Sequence, residues 1–338
     1  NLITIGVAFI IGAFNTLYLY PTFLGSKLQG LVIALLAISN IIQPFLSFGT
    51  QHAVIRFYSR YKTKNEKNAV LTLSLIIPFI ITAIVTPLFY LYYDQIKVLL
   101  FQTENAFSQY AYVIIFIAIS TSFFEIFYSW VRVKLKSVFG NFLKELYPRL
   151  LVTFLLISYT LDYLDFENFI LYLIYGYYLR LLIVIVYSFI INKPKISFYF
   201  KSDFKEIFRY SFLILLSGAA SSIILDIDKS MLSSILTVEN VAYYSVAIFI
   251  AAVIEIPGRA MFQILSPIVA EVINKNKKKK LKYLLKKSST NLVLVSSLFF
   301  LIINLNLNDF YEMLNQEGYS KGIPIVIIVS FAKLYSMS

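Results

Sequence analysis

"AAVIEIPGRAMFQ", residues 251–263, lies inside an apolar run spanning 241–272 and holds four residues that such a run should exclude. Glu255 and Arg259 carry opposite charges, and Pro257 and Gly258 stand between them. A charge left in hydrocarbon costs about 2.5–3.5 kcal/mol even on lenient scales, and a proline removes a helical hydrogen bond. On a wheel of about 100° per residue, Glu255 shares a face with Tyr244, Gly258, Arg259, Phe262, Gln263 and Ser266. The opposite face carries Val246, Ile250, Val253, Pro257, Ile264 and Ile268. The run is therefore amphipathic within the membrane: one side suits lipid or helix packing, the other a wet cavity or a polar partner.

Glu255 precedes Arg259 by one helical turn, the order that favours an ion pair along a helix. Two readings stay open. The pair locks this span to its neighbours, or the arginine fork offers two donors to a phosphate. Pro257 leaves the carbonyl of Val253 without its helical donor, and Gly258 beside it makes a bend or hinge the expected local structure.

Working outward, hydrophobic residues make up 59% of the 338-residue chain, charged residues 14%, and mean hydropathy is +0.76. Soluble domains run at about 45–50% apolar and about 25% charged. Apolar blocks recur at the length of about 20 residues needed to cross a bilayer. Ten candidate helices follow, near 2–20, 31–55, 69–92, 109–131, 146–162, 168–191, 210–226, 241–272, 289–305 and 322–338. The expected fold class is an all-α polytopic membrane protein. No cysteine is present and His52 is the only histidine, which excludes disulfides, thiol chemistry and multi-histidine metal sites. No cofactor is implied. No cleavable signal peptide is visible. The chain starts at Asn1 rather than Met and stops within an apolar segment, so it is expected to be part of a longer protein.

The connections alternate in charge. Four of them, around 56–67, 132–149, 193–209 and 275–287, hold 23 of the 30 Lys and Arg residues. The intervening loops, "LGSKLQG", "DQIKVLLFQTENAFSQ", "DYLDFEN" and "LNDFYEMLNQEGYSKG", hold at most one Lys each. Lys and Arg concentrate in short cytoplasmic loops, which puts the N-terminus inside. The net charge of +12 has the same source, and the run Lys275–Lys287 is expected to meet anionic lipid heads at about 1 kcal/mol per charge. Nucleic-acid binding is disfavoured, because no soluble module presents bases to these charges.

Other polar residues fall inside spans. Thr121, Ser122, Glu125, Ser129 and Arg132 form one stripe of the fourth span; Asn40, Gln43, Gln51, His52 and Arg56 lie in or just beyond the second. His52 suits packing or a weak polar contact better than a proton relay. Arg180 has no acidic residue nearby in sequence and is expected either to reach the outer Asp or Glu residues or to line the cavity. "LSGAASSI", residues 216–223, suits close helix packing. "DIDKSML", with Asp226, Asp228 and Lys229, stands at the expected outer end of the seventh span, as a gate or as a solvated helix end. The aromatic residues, 26 Tyr and 31 Phe, suit interfacial belts and helix packing.

The first spans are echoed later in the chain. "YLYPTFLGSKLQGLVIALLAI" and "DIDKSMLSSILTVENVAYYSVAIFI" each join a helix end, a short loop and a long helix. Those helices continue as "NIIQPFLSFG" and "VIEIPGRAMF", which place Pro44 and Pro257 at matching points. Paired repeats around a central site are a transporter architecture. The expected organisation is two pseudo-symmetric six-helix lobes, residues 1–200 and 201–338, the second incomplete with four helices.

The stretches "YPTFLGSKLQGLVIALLAI", "FGTQHAVIRFY", "DIDKSMLSSILTVENVAYYSVA", "IEIPGRAMFQILSPIVAEV" and "YSKGIPIVIIVSFAKLY" resemble polysaccharide biosynthesis flippases. These belong to the multidrug/oligosaccharidyl-lipid/polysaccharide exporter superfamily. The resemblance implies twelve or fourteen helices in two lobes around a cationic cavity that opens alternately to either side. It implies undecaprenyl-diphosphate-linked oligosaccharide as cargo, moved in the bacterial plasma membrane, with glycan polymerase and chain-length proteins as partners. By that resemblance Arg259, Arg56 and Arg180 are diphosphate ligands, with Gln263 and Gln43 in the same cavity. Glu255, Glu125, Asp226, Asp228, Lys229, Pro257 and Gly258 are then coupling or gating residues. A cation antiporter of the same superfamily, and a membrane glycan polymerase or ligase, are the alternative functions.

Overall fold

The computed structural model describes residues 2–100, 105–191, 193, 195–198, 204–275, 277–314, 316 and 318–337. Side chains at 2, 3, 105, 106, 260, 263, 264, 266, 267, 270, 271 and 274 lie outside that description, and with them the side chain of Gln263. Among the described residues every regular element is a helix. The chain divides into two compact units, residues 1–15 with 27–241, and residues 16–26 with 242–338.

The first unit holds α1 (Leu2–Phe14), α2 (Gly25–Ser47), α3 (Thr50–Arg60), α4 (Lys64–Leu91), α5 (Tyr112–Arg132), α6 (Tyr147–Thr160), α7 (Phe166–Ile191) and α8 (Phe204–Ile235). The second holds most of α9 (Val238–Ala252), then α10 (Ile256–Asn274), α11 (Lys278–Leu305), α12 (Leu307–Leu314) and α13 (Ile323–Tyr335). Eight of the helices described are long and apolar enough to cross a membrane, which makes this a multi-pass membrane protein. The expected spans at 146–162 and 322–338 are shorter helices, α6 of 14 residues and α13 of 13. A π turn over Phe142–Leu146 precedes α6, and a 3-10 turn over Tyr319–Gly322 precedes α13.

The second expected span is two helices. Proline does not make the break, because α2 runs through Pro44 and ends at Ser47. The break falls at Phe48 and Gly49, both left-handed, with φ of 51° and 67°. Glycine occupies that region without steric cost, and a second constraint acts here. A Cβ on Gly49 would stand 2.5 Å from the Ser211 carbonyl oxygen and 2.9 Å from the Leu215 nitrogen, both backbone atoms of α8. Thr50 fastens the corner, its hydroxyl within 2.9 Å of the Ser47 carbonyl and 3.2 Å of the Ser74 carbonyl.

Around this corner the first unit packs tightly. Val54, Phe57, Leu71, Phe124 and Val184 are fully or almost fully buried in one cluster, joined by Trp130. The Trp130 indole donates to the Ser74 hydroxyl at 3.1 Å, and the Ser120 hydroxyl donates to the Tyr177 carbonyl at 2.8 Å. Such bonds cross between helices where water is absent and hold their register. Asn15, the residue after α1, ties the end of that helix to α6 by donating to the Arg149 carbonyl and accepting from Thr153.

"DIDKSML" does not stand at a helix end. α8 continues to Ile235, so Asp226, Asp228 and Lys229 lie in the body of a 32-residue helix. The C-terminal extension is apolar and hydroxylated, "MLSSI", and nothing in it stops a helix before Ile235.

In the second unit the break near Pro257 takes the expected place. α9 ends at Ala252, a 3-10 turn covers Val253–Glu255, and α10 starts at Ile256 with Pro257 in its first turn. Proline fits there because the first-turn N–H groups of a helix have no intrahelical partner. Its core is smaller: Ala242, Val246, Leu307, Tyr311, Tyr319 and Val326 form the buried cluster.

Candidate functional site

The break between α9 and α10 aims Glu255 at two cations. Arg259 donates to one carboxylate oxygen at 3.0 Å, one turn along, and Lys333 of α13 reaches the other at 2.6 Å. The Glu255 side chain is 18% exposed, whereas Arg259 is 59% exposed, so most of the guanidinium fork is uncovered. The triad carries a net charge of +1. Glu255 and Arg259 line an open cavity of about 950 Å³ between α10, α11 and the end of α13, whose wall is otherwise mostly apolar, with Met261, Phe262, Leu265, Leu285, Leu292 and Met337. Gly258 serves this wall by close approach, since a Cβ there would stand 2.5 Å from the Met337 sulfur. Cationic donors beside an apolar wall are complementary to an anionic head joined to an apolar chain.

The first unit has a cavity of a different kind, of about 340 Å³. Glu125 of α5 pairs with Lys144 at 2.7 Å, and Arg132, His52, Gln43 and Gln51 also line it. His52 is exposed toward this space rather than packed, because the corner at Gly49 turns α3 away from the line of α2. Gly218, Ser221 and Ser222 of "LSGAASSI" face the same cavity, where close helix packing had been expected.

The remaining candidates of this unit lie apart. Arg180 is 4% exposed and lines neither cavity. Its guanidinium lies over Phe124 and Tyr177, at 4.3 and 4.7 Å, and donates to the Thr121 hydroxyl at 3.2 Å. The rings and the hydroxyl stabilise the charge where no carboxylate touches it among the described residues. Arg56 is exposed and stacks on Tyr210 at 4.3 Å. Asp226 accepts from Lys229 at 2.6 Å and from Asn40 of α2 at 3.2 Å, while Asp228 accepts from the Lys229 backbone at 2.8 Å. This group joins α8 to α2.

Thus the structure gathers Glu255, Arg259, Pro257 and Gly258 at one place, Gln43 and Glu125 at a second, and Asp226, Asp228 and Lys229 at a third. Sequence reasoning passed over two participants. Lys144 is one of many loop cations by position, and only the π turn over Phe142–Leu146 carries it back to Glu125. Lys333 is the one charge in "IPIVIIVSFAKLY", a signal of the same kind as Arg180.

The family model for "Polysaccharide biosynthesis protein" matches residues 1–272. No curated protein and no solved structure matches the chain significantly. With four fifths of its length matched, the chain belongs to the polysaccharide biosynthesis protein family.

Proposed function

We propose that this member of the polysaccharide biosynthesis protein family moves undecaprenyl-diphosphate-linked oligosaccharide repeat units from the cytoplasmic to the outer leaflet of the bacterial plasma membrane. It does so by alternating access between two pseudo-symmetric lobes, with the N-terminus and the lysine-rich connections on the cytoplasmic side. One observation carries the reading: Glu255 held by Arg259 and Lys333 at the mouth of a large apolar cavity. A prenyl diphosphate presents the same two parts, a dianionic head and an apolar chain. Arginine binds phosphate oxygens through two parallel donors, and hydrogen bonds to charged groups contribute about 1.5–3 kcal/mol each.

Glu255 occupies Arg259 and Lys333 when the site is empty, and the diphosphate takes them when it is loaded. The exchange keeps both cations paired and releases Glu255, the more buried member of the triad, so it couples cargo to the break between α9 and α10. The chain acts as a carrier and makes or breaks no bond in the glycan. The antiporter alternative is disfavoured by the same triad, since a surplus cation at the mouth repels a cationic drug.

The test is made in cells whose own repeat-unit transporter is deleted. Arg259→Ala combined with Lys333→Ala is expected to abolish surface glycan and to accumulate lipid-linked repeat units on the inner leaflet, at unchanged protein abundance. Normal surface glycan at normal abundance would overturn the assignment.

A further inference from the structure

We infer that Glu125 is the shared partner of two cations, Lys144 and Arg180, and that exchange between them switches the fastening of α5 from the turn before α6 to α7. The structure holds the first arrangement, with Glu125 paired to Lys144 at 2.7 Å.

Arg180 carries the argument. It is 4% exposed, and its Nε is buried without a hydrogen-bond partner. A buried donor left unpaired is costly, and a buried cation without a carboxylate is more so. The guanidinium donates to the Thr121 hydroxyl at 3.2 Å and lies over the Phe124 ring at 4.3 Å. Thr121 and Glu125 stand one turn apart on α5 and so share a face. The fork therefore already rests against Glu125's sequence neighbour and against the residue one turn behind it. Rotation of two long side chains brings carboxylate and guanidinium together.

Lys144 sits on an element built to move it. The π turn over Phe142–Leu146 closes i→i+5 bonds in place of the tighter α pattern. Relaxing one residue of excess turn rotates what precedes it by about 100°. Beyond the turn α6 is clasped: the Tyr147 hydroxyl donates to the Gly176 carbonyl of α7 at 3.0 Å, and Asn15 donates to the Arg149 carbonyl at 2.9 Å. The rotation falls on the turn and carries Lys144 off Glu125 while α6 stays in place. Glu125, 18% exposed, then needs a second cation. Arg180 supplies it, and its Nε gains an acceptor. Arg132 lines the same cavity but is exposed in the last turn of α5, where water already solvates it. Because Glu125 and Lys144 both line the polar cavity, the exchange releases one wall of it.

The test is carboxyl labelling of the purified full chain in detergent, with mass spectrometry as the readout. A hydrophobic carbodiimide modifies carboxyl groups that have lost their cation. Lys144→Met is expected to leave Glu125 labelling near its native level, because Arg180 takes the carboxylate. Adding Arg180→Gln should raise it about tenfold, the factor that one lost hydrogen bond to a charged group implies. Adding Arg132→Gln instead should leave it low. Glu255, held by Arg259 and Lys333, is the internal control and stays protected in every variant that folds. The exchange is overturned if Lys144→Met alone labels as strongly as the double variant, or if Arg132→Gln rather than Arg180→Gln releases Glu125. Low labelling of the Lys144→Met, Arg180→Gln chain with native thermal unfolding overturns it as well. Should Arg180→Gln fail to fold, Lys144→Met with Arg132→Gln decides: Glu125 stays protected when Arg180 holds it and is labelled when Arg180 does not. No cargo enters this measurement, so its failure leaves the transport reading to the Arg259 and Lys333 variants.

Discussion

The two units place carboxylate–lysine pairs in opposite settings. In the first, Glu125 and Lys144 face a small polar cavity inside a tightly packed helix cluster. In the second, Glu255 lines a large, mostly apolar one beside Arg259, which is mostly uncovered, and Lys333 holds Glu255 from outside the cavity wall. Packing differs in the same sense. Fourteen of the 21 residues of α5 are buried, whereas among the described residues of α11 only Ser296 is. A densely packed frame can hold hydrogen-bonding groups at fixed positions.

That contrast can be broken most sharply at glycine. Gly49 meets the backbone of α8 at left-handed φ, and backbone cannot yield. Gly49→Ala is expected to cost about 2–5 kcal/mol, from the left-handed penalty together with overpacking. Thermal unfolding in detergent reads it, and an unchanged midpoint would show that the corner is not rigid.

A middle-sized effect is expected at the carboxylates. Glu255→Gln leaves Arg259 and Lys333 facing each other and should destabilise by about 1 kcal/mol, since like charges repel and the group is only partly shielded. Glu125→Gln should cost less, about 0.5 kcal/mol or under, because it frees one lysine that is 39% exposed. Equal costs in parallel unfolding curves would remove the distinction between the two settings.

The smallest effect is expected at Gly258. Its neighbour is the flexible end of Met337, and alanine gains about 0.8–1 kcal/mol of helix propensity over glycine. Gly258→Ala should therefore shift stability by under about 1 kcal/mol. A loss as large as that of Gly49→Ala would mean that the second unit is packed as firmly as the first.

Much of the helical frame was legible because a bilayer imposes it. A span must satisfy its backbone internally, so apolar length and loop charge announce it. The break before Pro257 and the pairing of Glu255 with Arg259 were legible for a related reason: both are local, decided within one helical turn. The corner at Gly49 was not. Pro44 is the louder signal, yet α2 tolerates it, and the corner depends on where α8 crosses. "DIDKSML" misled because charge marks a helix end only when nothing offsets it. Here Lys229 and Asn40 neutralise and bond Asp226 within the helix body.

By itself the sequence determined what kind of molecule this is: a chain of membrane helices with intramembrane charges, of the polysaccharide biosynthesis family. The helices and their length follow from composition and period, which the solvent reads residue by residue, whereas the family follows from the match over residues 1–272. Which charges meet was decided by tertiary structure alone. Lys144 reaches Glu125 and Lys333 reaches Glu255 across 19 and 78 residues of chain. Arg180 instead is enclosed by Phe124, Tyr177 and Thr121. No local rule encodes such pairings, because they depend on how helices cross, and crossing is set by close packing over many residues at once.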